Sequence, residues 1–137
     1  MSYSNFYARF HGFRQRVLKS LGEAFRFQYS LHYIIVVVAF QILAWLQAVF
    51  IKKTLTGDFL VLHYNVDFGV DYVNEPVRIF LWPIFALLVF FVNVIILAFV
   101  SRNKDFKLFA HLLFISSALI GLLLNAVLLS IYLINFR

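Results

Sequence analysis

Three long apolar runs divide the chain, and one long polar stretch separates the first run from the second. The runs cover residues 32–51, 79–100 and 108–136, and none of them contains Asp, Glu, Lys or Arg. A helix needs about 20 apolar residues to cross a hydrocarbon core of about 30 Å. Backbone groups inside lipid must pair within their own segment, so runs of this length form helices. The pattern predicts an all-α integral membrane protein with three transmembrane helices.

The polar stretch, residues 52–78, is the one substantial loop, and its alternation of apolar and polar residues from 60 to 73 is typical of an extended strand. A straight strand of that length is too long for a small cap, and Gly69 is the natural position for a bend. We therefore expect a short strand or hairpin over the outer helix ends, with its aromatic face towards them. Asn74, Glu75 and Pro76 then predict a helix start, with Asn74 as the cap.

The N-terminal segment, residues 1–31, carries apolar residues at steps of three and four, with cations mainly on its other faces. This spacing predicts an amphipathic helix, separate from a three-helix membrane domain at residues 32–137. A basic helix with a phenylalanine face fits an anionic membrane surface. The alternative is that it packs on a partner protein. The predicted membrane-surface residues are Phe6, Phe10, Phe13, Arg9, Arg16 and Lys19.

The distribution of positive charge predicts the orientation. Residues 1–31 and the short turn 101–107 together hold eight of the twelve Lys and Arg residues. Positive charge is concentrated on the cytoplasmic side of membrane proteins, so we expect the N-terminus in the cytoplasm and the C-terminus outside. No cleavable signal peptide is visible, and the first run is expected to act as an uncleaved anchor. This placement accounts for the net charge of +6 without a nucleic-acid partner.

The composition of the chain agrees with a lipid environment and argues against cysteine chemistry and proton-coupled transport. Apolar residues make up 64% of the chain and charged residues 13%, whereas a soluble domain is about half apolar and about a quarter charged. The chain has no cysteine, which excludes disulfides, thiol catalysis and thiolate metal sites. Proton-coupled carriers usually place ionisable residues within their spans, and these runs have none.

Small and amide residues recur on the predicted helices at spacings that favour helix packing. Small side chains let two helices approach closely, and an amide in lipid needs a hydrogen-bond partner on another helix. The alternative is that Gln41, Asn93 and Asn125 form one shared polar spot within the bundle. The predicted packing residues are Gln41, Ala44, Ala48, Asn93, Ser117, Gly121 and Asn125.

The predicted strand brings His63, Asn65, Asp67 and Asp71 to one side of the loop. A histidine with carboxylates can bind a divalent metal or act in acid–base chemistry. The simpler interpretation is a solvated strand face, because metal sites usually have more His or Cys ligands. No nucleophile with oxyanion donors is identifiable, so we expect neither an enzyme nor a metal or cofactor site.

The order of His63, Tyr64, Asn65, Gly69 and Asp71 ahead of an apolar run resembles the membrane domain of Sdp-type bacterial immunity proteins. The resemblance covers roughly residues 54–100. Gly69 falls one residue later than in that family, and Val61 and Leu62 stand where the family has a proline before the histidine. The resemblance implies a small protein of the bacterial cytoplasmic membrane that takes part in toxin immunity or senses an outer ligand.

These observations lead to two functional hypotheses. The first is a non-enzymatic membrane protein that acts through its helices and outer loop on membrane partners or on copies of itself. The second is an immunity or sensor protein whose outer loop binds an extracytoplasmic peptide. A metal-binding receptor or an enzyme comes third. The candidate recognition residues of the loop are His63, Tyr64, Asn65, Asp67, Gly69 and Asp71.

Overall fold

The computed structural model describes residues 28–67, 69–100 and 104–136, and also 7, 8, 10–12, 14, 15, 18, 19, 22 and 26. Helix α1 covers Ser30–Thr54, α2 covers Leu81–Val100 and α3 covers Phe106–Phe136. A 3₁₀ helix, Pro76–Phe80, runs directly into α2. All three helical units are long and apolar enough to cross a membrane, as the sequence predicts.

Helices α1 and α3 extend beyond the apolar runs that predict them. α1 continues through Lys52 and Lys53 to Thr54, whose hydroxyl donates a hydrogen bond to the Phe50 carbonyl. At 1.5 Å per residue, the 25 residues of α1 reach about 37 Å, which exceeds the hydrocarbon thickness. The helix ends therefore have the length to reach the level of lipid headgroups, where lysine side chains can remain hydrated.

Helix α3 is the centre of the bundle, because both α1 and α2 pack mainly against it. Its buried residues recur at steps of three and four, which places them in one stripe along the helix. This stripe consists of Ala110, Phe114, Ser117, Gly121, Leu124, Asn125, Leu128 and Ile131.

The loop between α1 and α2 folds into an antiparallel hairpin of two strands, β1 (Leu60–Asn65) and β2 (Gly69–Asn74). The prediction of a short hairpin is thus confirmed, although the period-two pattern did not show where the chain reverses. The reversal follows Asn65, whose Oδ1 accepts a 2.8 Å hydrogen bond from the Asp67 N–H. Gly69 has φ +78°, a left-handed conformation that glycine adopts without steric cost.

The two hairpin strands are not in perfect register. Leu60 pairs with Asn74 and Val61 with Val73, but the pairing is irregular on both sides of His63. Such a bulge changes which side chains share a face. The expectation that the aromatic face lies against the helices is wrong: Tyr64 is 49% exposed and Tyr72 is 50% exposed.

The hairpin closes one end of the bundle by inserting the first residue of β1. Leu60 is completely buried in a cluster with α1, α3 and the 3₁₀ helix. A second cluster, formed by Leu97, Ala110 and Phe114, lies towards the other end. The buried members around Leu60 are Ala44, Ala48, Ile51, Ile79, Leu128 and Ile131.

The predicted helix start at residues 74–76 is shifted by one residue. Glu75, and not Asn74, is the N-cap of the 3₁₀ helix, and its side chain makes no capping hydrogen bond. The Asn74 Oδ1 instead accepts a 2.9 Å hydrogen bond from the Glu75 N–H. Pro76 stands in the first turn, where its missing N–H leaves no helix hydrogen bond unmade.

The predicted amphipathic helix falls on a segment that is described only in part. Residues 7, 8, 10–12, 14, 15, 18, 19 and 22 are helical, and Phe10 is 59% exposed. Lys19 is also exposed. The other predicted surface residues, Phe6, Arg9, Phe13 and Arg16, lie outside the described residues.

Candidate functional site

Asn135, near the end of α3, forms hydrogen bonds that fasten the hairpin to the bundle. The Asn135 Oδ1 accepts a 2.9 Å hydrogen bond from the Val61 N–H, and its Nδ2 donates a 2.8 Å bond to the Val61 carbonyl. The same Nδ2 also donates to the Ile131 carbonyl one turn earlier. Asn135 therefore satisfies both backbone groups of one strand residue, as a neighbouring strand would.

This contact determines which edge of the hairpin is covered. Val61 directs its N–H and C=O to α3, so the Val61–Val73 pair is one in which neither residue bonds across the ladder. In such an antiparallel pair the backbone groups of both residues point away from the partner strand. We infer that the Val73 N–H and C=O point to the opposite edge, along β2. Within the described residues, the sheet has only these two strands.

The candidate recognition residues are spread around the hairpin. His63, Tyr64 and Asp67 are exposed, and Asn65 is half-buried beside the turn. Gly69 begins β2. Asp71 lies within β2, but its side chain is outside the described part of the structure.

The single extended strand that was expected to carry these residues along one edge is replaced by two strands and a turn. His63 and Asn65 belong to β1, Asp67 lies in the turn, and Asp71 belongs to the returning strand. The chain reversal therefore removes the constant two-residue spacing on which the metal and acid–base hypotheses depended. No group of three or more His, Cys, Asp or Glu side chains able to hold a metal occurs among the described residues.

A groove lies beside the hairpin, and we call it the hairpin groove. It is lined by Leu62 and Tyr72 of the hairpin, Arg78 of the 3₁₀ helix, and one face of α2 from Leu81 to Leu88. Its volume is about 470 Å³, and its walls are almost entirely apolar. Arg78 is the one charged residue in this lining and lies at the hairpin end.

The predicted amides of the bundle each contact another helix, and no direct hydrogen bond joins them to one another within the described residues. The Gln41 Nε2 donates a 2.8 Å hydrogen bond to the Pro83 carbonyl. The Asn93 Nδ2 lies 2.9–3.2 Å from three oxygens of α3: the Leu113 carbonyl and the Ser116 and Ser117 hydroxyls. These bonds link α1 to α2 and α2 to α3.

Asn125 links α1 to α3 near the point where Gly121 lies against Phe40. Its Nδ2 donates to the Phe40 carbonyl at 3.0 Å and to the Gly121 carbonyl at 2.7 Å. A Cβ on Gly121 would lie 3.2 Å from the Phe40 Cβ, so glycine allows this contact. Across the same seam, Ala44 and Ala48 of α1 are completely buried.

Two buried amide oxygens, Gln47 Oε1 and Asn125 Oδ1, have no hydrogen-bond partner among the described residues. Such an atom costs about 1–3 kcal/mol when it is removed from water. The polar interior of the bundle is therefore not a perfectly satisfied network.

The sequence reasoning missed three polar contacts. Asn135 continues the buried stripe of α3, four residues after Ile131, and that spacing was the available signal. No comparable spacing in the sequence marks Ser116 as a contact of Asn93. Tyr33 and His111 share a 2.6 Å hydrogen bond between the Tyr33 hydroxyl and the His111 Nδ1. The Tyr33 ring also stacks on Phe114.

Comparisons of this chain with protein-family models, curated proteins and solved structures find no match. The functional argument therefore depends on the residues and on their geometry.

Proposed function

We propose that this protein is a non-enzymatic integral membrane protein that acts by docking its outer hairpin and helices on membrane partners or on copies of itself. The observation that carries the proposal is the fastening of the hairpin by Asn135 and Leu60. One strand edge is held against α3, and the other is presented outward along β2.

The exposed faces of the helices support a lipid environment. Leu46 is 61% exposed, Phe99 is 71% exposed and Leu123 is 56% exposed, and each belongs to a different helix. Soluble monomers rarely expose contiguous apolar patches larger than a few hundred Å². Lipid is the medium in which such faces are stable, and we place the protein in the bacterial cytoplasmic membrane, as the resemblance to immunity proteins implies.

The edge of β2 is the surface best suited to docking. An extended segment can add to such an edge through main-chain hydrogen bonds, with side-chain pockets supplying specificity. Because the hairpin is anchored, a partner strand does not have to order it first, which lowers the entropic cost of binding. Val70, 52% exposed, and Tyr72 would supply the flanking apolar contacts.

Purification in mild detergent tests the proposal directly. We expect a discrete oligomer or a stable heteromeric complex, measured by size-exclusion chromatography with light scattering. Val73→Pro removes the N–H that points to the open edge, and proline is tolerated at an edge strand. This variant should weaken the complex, whereas Val73→Thr retains the N–H and should leave it intact.

The outcomes separate the two kinds of contact. If the complex persists in Val73→Pro while β1 is still protected from hydrogen exchange, the hairpin is folded but is not the docking surface. The helices would then form the contact. A protein that is monomeric both in mild detergent and in native membranes would overturn the proposal.

A second candidate, an immunity or sensor protein, is favoured by the exposure of the hairpin tip. Val66 is 88% exposed, and the exposed His63 and Asp67 lie close to it in the chain. An extracytoplasmic peptide could reach these residues without entering the bundle. Expression of the protein should then protect cells from such a peptide, and His63→Ala or Asp71→Ala should remove the protection. Protection unchanged in both variants would argue against this candidate.

A further inference from the structure

The hairpin groove is apolar along α2 and carries a positive charge at one end, and docking through the edge of β2 does not involve it. Its α2 wall is formed by Leu81, Ile84, Phe85 and Leu88, which recur at steps of three and four and so share one face of the helix. Leu81 is 54% exposed, Phe85 is 53% exposed and Leu88 is 57% exposed. The groove is therefore an open apolar channel that runs along α2 away from the hairpin.

The length of the groove follows from the helix geometry. From Arg78 to Leu81 the chain rises about 2.0 Å per residue, and from Leu81 to Leu88 about 1.5 Å per residue, which gives roughly 16 Å in total. Half of a hydrocarbon core of about 30 Å is about 15 Å, so the groove matches the depth that one acyl chain spans in a leaflet.

The two ends of the groove differ in polarity. Arg78 is exposed at the hairpin end, followed by the half-buried Trp82, while the far end at Leu88 is apolar. An arginine can bind a phosphate through two parallel hydrogen bonds. Tryptophan prefers the level of the headgroups, where its ring is partly apolar and partly hydrated. The cation at the hairpin end matches the phosphate of a phospholipid, and the apolar wall along α2 matches its acyl chain.

We propose that the hairpin groove binds one phospholipid, with an acyl chain along Leu81–Leu88 and the phosphate on the Arg78 guanidinium. The proposal rests on the bundle crossing a bilayer, as argued under the proposed function. It goes beyond that function because it assigns the groove a specific lipid of the leaflet that surrounds the hairpin end. A lipid held there would contact Leu62 and Tyr72, so its occupancy would be coupled to the position of the hairpin.

Native mass spectrometry of the detergent-purified protein, titrated with phosphatidylglycerol, tests the proposal. We expect one lipid to bind more tightly than the rest. Arg78→Gln should weaken that first binding step about tenfold or more, the effect of losing one hydrogen bond to a charged group. Lys53→Gln is the matched control, because Lys53 is an exposed cation near the same end of the bundle but does not line the groove.

The acyl-chain part of the proposal has its own pair of variants. Leu88→Trp fills the apolar end and should reduce the first binding step, whereas Leu123→Trp adds the same side chain to an equally exposed position on α3 and should not. Equal losses in Arg78→Gln and Lys53→Gln, or in Leu88→Trp and Leu123→Trp, would overturn the proposal. A dimer that forms in place of lipid binding and is lost in Leu88→Trp would identify a second copy as the occupant and would also overturn it.

Resistance to alkaline extraction from native membranes distinguishes failure of the lipid site from failure of the membrane-spanning bundle, on which the proposed function depends. A protein that resists extraction but binds no lipid in the groove refutes the lipid site alone. A protein that alkali releases refutes the membrane-spanning bundle, and the lipid site with it.

Discussion

At the scale of single residues, the structure uses asparagine for two different purposes. Asn93 and Asn125 connect helices through short hydrogen bonds within the bundle. Asn135 connects a helix to a strand and pairs with both backbone groups of Val61. Loss of an interhelical hydrogen bond in a membrane protein costs on average about 0.6 kcal/mol, because alternative partners exist in the unfolded state.

Replacement of Asn135 by alanine should therefore loosen the hairpin while the helices remain folded. The Val61 N–H and C=O would lose their partners, at a cost of about 1–3 kcal/mol. Hydrogen exchange measured by mass spectrometry should show faster exchange over residues 60–74, by about tenfold or more, with little change in α2. Ser130→Ala is the control, because the Ser130 hydroxyl bonds only the Ala126 carbonyl of its own helix among the described residues. Equal exchange in both variants would show that Asn135 does not fasten the hairpin.

The contact of Asn93 with α3 should contribute little to the free energy of unfolding, and its contribution should depend on Ser117. Asn93→Leu and Ser117→Ala should each destabilise the protein by less than about 2 kcal/mol in detergent. The double variant should cost less than the sum of the two, because both substitutions remove the same 2.9 Å hydrogen bond. Reversible unfolding of the four proteins in a double-mutant cycle measures the coupling. Additive effects would contradict a direct interaction.

At the scale of elements, the close approach of α1 and α3 depends on small side chains. Ala44 and Ala48 are buried on α1, and Gly121 lies against Phe40. The contact point on Phe40 is its Cβ, which cannot move away without the backbone of α1. A larger residue at position 121 would therefore have to separate the two helices.

Gly121→Leu should lower the thermal stability of the detergent-solubilised protein. Overpacking typically costs about 1–3 kcal/mol, and more when backbones must separate. This corresponds to a decrease in Tm of roughly 3–10 °C for a chain of this size. Ala126→Leu adds a leucine to an exposed position of the same helix and should change Tm little. Circular dichroism during heating measures both, and similar Tm values for the two variants would refute tight packing at Gly121.

At the scale of the whole molecule, the three helices run alternately up and down, so the hairpin and the turn before α3 lie at opposite ends of the bundle. α1 ends at the hairpin, α2 runs back from it, and α3 returns to contact it through Asn135. The first residues of α1 and α3 therefore lie at the same end of the bundle, and residues 1–31 and 101–107, which carry most of the positive charge, precede or adjoin those helix starts in the sequence. We propose from this charge distribution that the N-terminus is cytoplasmic and the hairpin lies outside.

Single cysteines test this orientation, because the natural chain has no thiol to confuse labelling. Asp67→Cys should react in intact cells with a maleimide that does not cross membranes. Lys104→Cys should react only after the cells are broken. Both positions are exposed, so a difference in labelling reports the side of the membrane. Labelling of both positions in intact cells would contradict the proposed topology, and the opposite pattern would invert it.

The local sequence pattern was sufficient to predict the three long apolar helices and the position of the loop that folds into strands. Both are local properties: the length of an apolar run and the alternation of residues can be read without knowing what lies across the bundle. The reversal at Asn65 could not be read in this way, because the period-two pattern continues unchanged through residues 66–68.

Which polar residues meet and which surfaces remain open depends on contacts between segments that are far apart in the chain. Asn135 and Val61 are 74 residues apart, and Asn125 and Phe40 are 85 residues apart. Apolar faces of similar composition can pack in several rotations about the helix axis, so composition does not specify these pairs. They are decided by how closely Gly121 allows α1 and α3 to approach and by where the hairpin reverses, and both depend on contacts between distant segments.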